Sequence, residues 1–383
     1  MTNSLKGSSA IVGVGTAGIG EAHGRTHLEI MAEAANNALA EAGLNMRDVD
    51  GLFCSTLVNF FPTLTIGEYF GIQPKYVGGT SLGGSSFVKY AIDAAAALQA
   101  GLCDVALICY GSNQRTAGGK LATMSDPPVS EIMYKPRYPI IAYSFAAARH
   151  MHEFGTTREH LAEVAVAARK WAQLNPEAYM RDDLTMDEVL SARMVCDPLS
   201  VRDCCLVTDG AGAIVMTRAD KAKDLKKKPV YFLGGAEEQW HRAISEMPDV
   251  TTTAASKSGE RAYAMAGLKP SDIDVLELYD AFTINTIMFL EDLGFCKKGE
   301  GGPFVADGGI APGGKIPVNT NGGGLSYCHP GAYGTFLLIE AARQLRGEGG
   351  DRQVKDAKTA LAHGNGGTLS SQVTVLLGDE STL

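Results

Sequence analysis

The chain has 383 residues, of which 45% are hydrophobic and 20% charged, and its formal net charge is −9. That length allows two ordinary globular domains, while the acidic balance argues against a nucleic-acid partner, and no apolar stretch reaches the ~18 residues of a membrane span. The eight cysteines lack metal-ligand spacing, so we predict no metal site and free thiols in a cytoplasmic protein.

Strands and helices alternate along the first part of the chain. Residues 27–42 carry apolar side chains at three- and four-residue spacing, which predicts an amphipathic helix. Residues 87–100 are apolar nearly all round, so we expect that helix to be buried on every side. The predicted strands, which are short and rich in apolar residues, lie at 9–15, 49–55, 104–110 and 212–217.

A glycine motif near the N-terminus resembles a dinucleotide fingerprint. Residues 13–18 fit G-x-G-x-x-G after a strand. The fingerprint also needs a helix that opens within the motif and an acidic residue after the next strand. Here the chain stays rich in glycine and polar residues through Gly24. We therefore interpret the motif as a turn.

The second part of the chain repeats the first. Residues 42–52 and 266–276 share A-G-L-x-x-x-D-[V/I]-D-x-L, and a Gly-rich loop precedes an apolar helix in each half. The repeat predicts two halves, 1–228 and 229–383, with an insertion at about 112–208 that folds over a cleft. The predicted elements of the second half are a strand from about 229, a helix at 256–266, a strand at 274–278, a helix at about 283–293, a buried helix at 335–345 and a strand at 359–367.

Four residues near these loops could carry chemistry. Ser81 is predicted to enter the first buried helix, whose N-terminal N–H groups could lower a nucleophile's pKa or stabilise an oxyanion; alternatively it is an ordinary cap. His329 lies in the second Gly-rich loop, and His363 is predicted to end the following strand. Tyr279 ends the other repeated strand, either as a hydrogen-bond donor in the cleft or as a packed side chain with a satisfied hydroxyl.

Several segments together resemble a known family. They are the insertion segment HEFGTTREHLAEVAVAARKWAQLNPEAY, the segment DCCLVTDGAGAIVM, the strand end YDAF and the loop NTNGGGLSYCHPGAYG. Over essentially its whole length the chain resembles the thiolase fold, within it the sterol-carrier-protein-type thiolases and their lipid-transfer-like relatives. The resemblance implies an α/β fold of duplicated βαβαβ halves, related by a pseudo-twofold axis in a five-layered αβαβα arrangement.

The resemblance also implies an activity and a set of site residues. Such enzymes make or break a carbon–carbon bond beside a coenzyme A thioester, with acyl-CoA as substrate and no permanently bound cofactor. By position His329 matches the family's activating His, Tyr279 matches the Asn or His of an oxyanion site, and His363 matches the proton-shuttling group. It further implies a homodimer and a small zinc-ribbon and oligonucleotide-binding-fold partner.

The chain departs from the family pattern at the nucleophile. Ser81 aligns with the Cys that becomes acylated, and a serine hydroxyl is far less acidic than a thiol. Three functions therefore stay open. They are acyl transfer of the thiolase type, retro-aldol cleavage of a 3-hydroxyacyl-CoA without an acyl-enzyme, and a non-catalytic acyl-CoA-binding or scaffold subunit.

Overall fold

The computed structural model describes residues 5–56, 58–117 and 128–383, so residues 118–127 of the predicted insertion lie outside the described residues. The strands are β1 Ser9–Gly20, β2 Gly51–Cys54, β3 Tyr76–Gly78, β4 Val105–Ser112, β5 Met194–Cys196, β6 Leu199–Ser200, β7 Asp209–Arg218, β8 Val230–Gln239, β9 Val275–Leu278, β10 Thr359–Gly366 and β11 Ser371–Gly378. The α-helices are α1 His27–Ala42, α2 Pro62–Phe70, α3 Ser85–Gln99, α4 Ile140–Phe154, α5 Arg158–Gln173, α6 Met186–Leu190, α7 Ala219–Ala222, α8 Ala255–Ala266, α9 Thr283–Asp292, α10 Gly301–Val305 and α11 Gly334–Arg346.

Nine of the strands form one mixed sheet in the order β3-β2-β4-β7-β1-β8-β11-β10-β9. Among the described residues, the strands of its two parts pair where β1 meets β8, through Ala10 with Tyr231 and Ile11 with Val230. This short junction lets the sheet fold back on itself. The result is two half-sheets, one from residues 9–218 and one from residues 230–378.

Two helices fill the space between the half-sheets. The first, α3, packs on β4 and β7 of one half-sheet and on β10 and β11 of the other, and α11 packs on β7 and β10. Both are almost wholly buried, as their apolar sequences require. Since α1 covers β1 and β7 and α8 covers β8 and β11, the layers are αβαβα. The predicted thiolase-fold architecture is confirmed.

Local sequence fixes the bounds of α1. The Thr26 hydroxyl accepts a hydrogen bond from the Glu29 N–H, and the Glu29 carboxylate accepts one from the Thr26 N–H, which closes a capping box. Gly43 ends the helix in the left-handed conformation, at φ 77°. The predicted helix, residues 27–42, is confirmed to the residue.

The interpretation of residues 13–18 as a turn is wrong. The motif lies inside β1, which extends from Ser9 to Gly20. A Cβ at Gly13 would come within 2.0 Å of the Ala38 carbonyl oxygen, and one at Gly15 within 2.3 Å of the Ala34 carbonyl oxygen. The glycines therefore allow the strand to contact the α1 backbone closely, a role that periodicity alone does not reveal.

The insertion adds a helical layer beside the second half-sheet. Both α4 and α5 pack on α9, and α5 also contacts a single π-helical turn at Gly323–Tyr327 within the Gly-rich loop. The Arg169 side chain on α5 donates to the Ser326 hydroxyl at 3.0 Å. The insertion thus supports the loop that carries His329. In the described part of the chain, none of the helices combines the length and apolar character needed to cross a bilayer.

Candidate active site

Tyr279 and His329 meet where β9 and the Gly-rich loop come together. The Tyr279 hydroxyl lies 3.0 Å from His329 Nε2, and the two rings pack edge to face with centroids 5.7 Å apart. Tyr279 is almost completely buried, whereas His329 is partly exposed. The pair therefore lies at the edge of the core, with most of its surface covered by protein.

Backbone contacts hold Tyr279 in place. Its N–H donates to the His363 carbonyl oxygen at 3.0 Å, and the Asn285 side chain donates to its carbonyl oxygen at 3.3 Å. The ring lies against Gly84, the residue that precedes α3. Tyr279 is thus fixed between the end of β9 and the start of the first buried helix.

The hydrogen-bond directions at this pair follow from the donor groups. The Tyr333 N–H donates to the Tyr279 hydroxyl oxygen at 3.1 Å. Since that oxygen already accepts a bond, its proton is free to bond Nε2 of a neutral His329. Burial raises the pKa of Tyr279 well above its ordinary value and lowers the pKa of His329 to about 4. Both groups are therefore neutral at pH 7.

Tyr333 completes the cluster, although sequence analysis did not identify it. Its ring is fully buried and lies nearly parallel to the His329 ring, with centroids 6.4 Å apart. Its hydroxyl donates to the Asn321 side chain at 2.7 Å. The available signal was its place four residues after His329 in the loop HPGAYG. That spacing puts a tyrosine at the start of α11 without predicting that its N–H faces Tyr279.

Asp280 organises the Gly-rich loop next to the pair. Its carboxylate accepts hydrogen bonds from the Gly324 N–H at 2.6 Å and the Leu325 N–H at 3.3 Å. A Cβ at Gly323 would collide with this carboxylate at 2.0 Å, so the loop needs glycine there. Burial outweighs these bonds and raises the pKa of Asp280 to about 7. Asp280 is therefore a positioning residue whose charge changes near neutrality.

The predicted position of Ser81 is wrong. The helix begins at Ser85, because Gly83 turns the chain at φ 77° and Gly84 occupies the N-cap. Ser81 is exposed on the preceding loop, and its side chain makes no hydrogen bond to any described residue. The imidazole of His329 bonds Tyr279 instead. Ser81 and His329 are not brought together by a hydrogen bond.

The predicted position of His363 is also wrong. It lies inside β10, three residues before the strand ends at Gly366. Its Nδ1 is 2.9 Å from the Thr374 hydroxyl, and its Nε2 is 2.8 Å from the Gln372 side-chain oxygen. Burial lowers its pKa to about 4. His363 supports Tyr279 through its backbone carbonyl, and a proton-shuttling role for its imidazole stays a prediction.

Two cysteines neighbour the Tyr279–His329 pair. Cys205 lies near Tyr279, and Cys328 directly precedes His329. Burial raises the pKa of both thiols, so neither is an activated thiolate at neutral pH. In the part of the chain that the structure describes, no group of three or more His, Cys, Asp or Glu side chains could hold a metal ion.

An apolar cavity of about 740 Å³ lies between the insertion and the second half. Neither Tyr279 nor His329 lines it. The helix α4 connects the cavity with the segment that carries Tyr279, because Tyr143 on α4 stacks on Phe282 with ring centroids 4.3 Å apart. Lys135 and Arg137 also line the cavity. Its apolar walls come from Tyr134, Ile140, Phe145, Val195, Ile244 and Met247.

Comparison with known sequences connects this geometry to a family. Residues 236–379 match the model of the thiolase C-terminal domain-like family. An acetyl-CoA acetyltransferase of Methanothermobacter thermautotrophicus is 34% identical over 94% of this chain and 96% of its own length. A 17-hydroxy-3-oxo-4-pregnene-20-carboxyl-CoA lyase of Mycobacterium tuberculosis is 34% identical over 90% of this chain and 92% of its own length.

A solved structure gives the same assignment. The structure described as an Ltp2-ChsH2(DUF35) aldolase superposes with a TM-score of 0.89 at 30% identity, covering 98% of this chain and 99% of the matched chain. The similar proteins thus include an acetyl-CoA acetyltransferase, a carboxyl-CoA lyase and an aldolase, and the aldolase shares the fold of this chain. The chain belongs to the thiolase superfamily.

Proposed function

We propose that this protein cleaves a 3-hydroxyacyl-CoA by a retro-aldol reaction, with no covalent acyl-enzyme. The observation that carries the proposal is the neutral, hydrogen-bonded pair of Tyr279 and His329 beside a helix start that bears no thiol. A retro-aldol step needs a proton acceptor for the C3 hydroxyl and a stabilised enolate. It needs neither a nucleophile nor free coenzyme A.

The proton acceptor in this proposal is the Tyr279–His329 pair. The substrate hydroxyl donates to the Tyr279 oxygen while the phenolic proton moves to His329 Nε2, so Tyr279 stays neutral and His329 becomes an imidazolium. The C2–C3 bond breaks, its electrons form the thioester enolate, and C3 leaves as a carbonyl. Because the pKa of His329 is lowered to about 4, the imidazolium is strongly acidic and returns its proton to C2 along the same path.

The start of α3 would stabilise the enolate. The first turn of a helix lies at the positive end of its dipole, which attracts negative charge. Gly84 packs directly on the Tyr279 ring, so the enolate would form beside this positive end. Preorganised dipoles near developing negative charge are a means by which enzymes stabilise an oxyanion. The aldolase that superposes on this chain supports the same reaction class.

Thiolase-type acyl transfer is the second candidate, favoured by the acetyl-CoA acetyltransferase that is 34% identical. The two reactions differ in their use of free coenzyme A. We would incubate the purified protein with 3-hydroxyacyl- and 3-oxoacyl-CoAs, with and without coenzyme A, and analyse products by liquid chromatography and mass spectrometry. We expect a carbonyl product and a shortened acyl-CoA without added coenzyme A. Product formation only with coenzyme A would refute the retro-aldol proposal.

The apolar part of the acyl group would occupy the cavity beside α4, whose walls are apolar, and its thioester would extend out of the cavity to the Tyr279–His329 pair, which does not line it. No permanently bound cofactor is needed for the proposed reaction. A non-catalytic binding subunit would use the same cavity, but it would give no product in the incubation described above.

We also propose a homodimer formed through the β3 edge of the sheet. Next to this edge the chain exposes Val58, Phe60, Phe61 and Leu64, with Phe60 89% exposed. An unpaired edge strand beside a large apolar patch is a typical association surface. Light scattering should give twice the chain mass, and Phe60→Glu should produce a monomer. A monomeric parent protein at micromolar concentration would refute the proposal.

A small zinc-ribbon and oligonucleotide-binding-fold protein is proposed as a further partner, in a cytoplasmic setting suited to free thiols. The support is the second component in the description of the similar aldolase. Co-expression with such a protein should raise turnover above that of the isolated chain. Equal turnover with and without it would count against the partner.

A further inference from the structure

We propose that Glu131 selects acyl groups that carry a hydroxyl on their apolar portion, by accepting that hydroxyl's hydrogen bond inside the cavity beside α4. The inference rests on the proposed function only in taking the occupant to be an acyl-CoA. It concerns which acyl group is bound, and it assigns Glu131 no part in bond cleavage.

Glu131 is a buried carboxylate in an apolar surrounding. It lines the cavity and is only 6% exposed. Its Oε1 accepts a hydrogen bond from the Ser245 N–H at 3.0 Å. Its Oε2 is buried and has no hydrogen-bond partner among the described residues. One oxygen thus fixes the side chain to the second half of the molecule, and the other has no partner although its residue lines the cavity.

An unpaired carboxylate oxygen in such a place calls for an explanation. Buried polar groups are nearly always hydrogen-bonded, since leaving one unpaired forfeits its hydration without compensation. The cations that line the same cavity, Lys135 and Arg137, form no ion pair with Glu131 in the described structure. A hydroxyl is the ligand group that fits, because a carboxylate accepts its proton while the rest of the ligand packs on apolar walls.

The size and the walls of the cavity indicate which kind of acyl group it binds. A volume of about 740 Å³ is in the range of sites that bury most of a drug-sized ligand. The walls include Tyr134, Ile140, Phe145 and Met247 and favour a bulky apolar body. A site that is built to bond a hydroxyl strongly rejects the analogue that lacks it, because its own polar group is then left unpaired.

The test measures binding with esters that cannot react. We would use isothermal titration calorimetry with ω-hydroxyoctanoyl-, ω-hydroxydecanoyl- and ω-hydroxydodecanoyl-CoA, each against its unhydroxylated counterpart. None of these carries a 3-hydroxyl, so retro-aldol cleavage cannot occur. We expect the parent protein to bind at least one hydroxylated ester about 10- to 100-fold more tightly, the scale of a hydrogen bond to a charged group.

Two variants connect this preference to the carboxylate. Glu131→Leu should abolish the preference and bind the unhydroxylated esters as tightly as the parent or more so. Glu131→Gln keeps an accepting oxygen without the charge and should retain a reduced preference. Glu246→Leu, at an exposed carboxylate in the same loop as Ser245, is the matched control and should leave the preference unchanged. Thermal melting checks that each variant is folded.

Failure of this inference can be separated from failure of the proposed function. Equal binding of every pair by the parent protein, or an unchanged preference in Glu131→Leu, would refute the role of Glu131 even if retro-aldol products are formed. Free ω-hydroxy acids form a second arm, and a preference seen only with them would refute the acyl-CoA assignment of the cavity. A requirement for free coenzyme A in turnover would refute the retro-aldol proposal and leave the binding preference intact.

Discussion

Gly84 lies directly against the ring of Tyr279, where an added Cβ would come within 2.0 Å of Tyr279 Cε2. The start of the first buried helix therefore presents backbone, and no side chain, to the Tyr279–His329 pair. Alignment of the loop points to Ser81 as the residue at this position, whereas the structure puts Gly84 there. Because no nucleophilic side chain lies at this position, the contact favours retro-aldol cleavage over catalysis through an acyl-enzyme.

The contact predicts a strong effect of Gly84→Ala. The added methyl group has to displace the Tyr279 ring and lengthen its 3.0 Å hydrogen bond to His329. A displacement of about 1 Å at a catalytic group costs about 10²-fold in rate, so we expect kcat/KM to fall by about 10- to 100-fold. Gly67→Ala is the control, because its Cβ would meet nothing closer than 3.7 Å. Unchanged kinetics in Gly84→Ala would show that the contact is irrelevant to turnover.

Tyr279→Phe tests the phenolic oxygen alone. The ring remains and still packs against Gly84, but without the hydroxyl a proton can no longer pass from the substrate to His329. We expect kcat to fall by about 10²-fold or more, the usual scale for a positioned acid–base group, with KM little changed. The variant also leaves the Tyr333 N–H unpaired, which costs about 1–3 kcal/mol of stability for a buried donor.

The matched control for this variant is Tyr263→Phe. It removes another buried hydroxyl, one that donates to the Leu293 carbonyl oxygen at 3.2 Å. It should lower stability without lowering kcat. Steady-state kinetics and urea denaturation of both variants separate the two effects. A Tyr279→Phe enzyme with parental kcat would remove this hydroxyl from the mechanism.

Ser81→Ala should retain most activity, within about threefold of the parent, the scatter expected of a surface change without catalytic partners. Ser81 is exposed and lies four residues before α3 begins. Rapid quenching of the parent enzyme during turnover, followed by peptide mass spectrometry, should find no acyl ester at this residue. A mass increase at Ser81 that equals the substrate acyl group would overturn both the prediction and the retro-aldol proposal.

The predictable parts of this molecule are those that depend on neighbours in sequence. The helix α1 is an example, because Thr26, Glu29 and Gly43 specify its ends and apolar spacing specifies its buried face. Tyr279 and His329 could be selected as candidates because each occupies an equivalent place in a repeat. Their hydrogen bond depends on how the two halves pack, which no local pattern encodes.

The positions that were mispredicted depend on tertiary contacts. The strand that carries His363 ends at Gly366, close to the predicted bound of 367, but His363 lies inside it, and pairing with β11 buries the imidazole between Thr374 and Gln372. Ser81 lies outside the helix because Gly83 adopts a left-handed conformation, so that α3 begins after it. Tyr333 contributes its main-chain N–H, which every residue except proline possesses, so its identity gave no signal.

His363 and Asp280 should give opposite pH dependences of stability. Burial lowers the pKa of His363 to about 4, against about 6.5 for an unfolded histidine. Between these values the unfolded chain binds the proton and the native protein does not, so stability rises with pH. Burial raises the pKa of Asp280 to about 7, against about 3.9 when unfolded. Between these two values the native protein holds the proton and the unfolded chain does not, so stability falls as pH rises.

Urea denaturation at pH 4.5, 5.5 and 6.5 can separate the two groups. Each contributes a slope of about 1.4 kcal/mol per pH unit inside its window, because one proton is bound by one state only. His363→Gln should therefore make the slope of stability against pH less positive by about that amount, and Asp280→Asn should make it more positive. His152→Gln, at an exposed histidine, controls for the loss of an imidazole from the surface. A slope that does not change in His363→Gln would mean that the native imidazole binds its proton as readily as the unfolded one, in contradiction to its burial between Thr374 and Gln372.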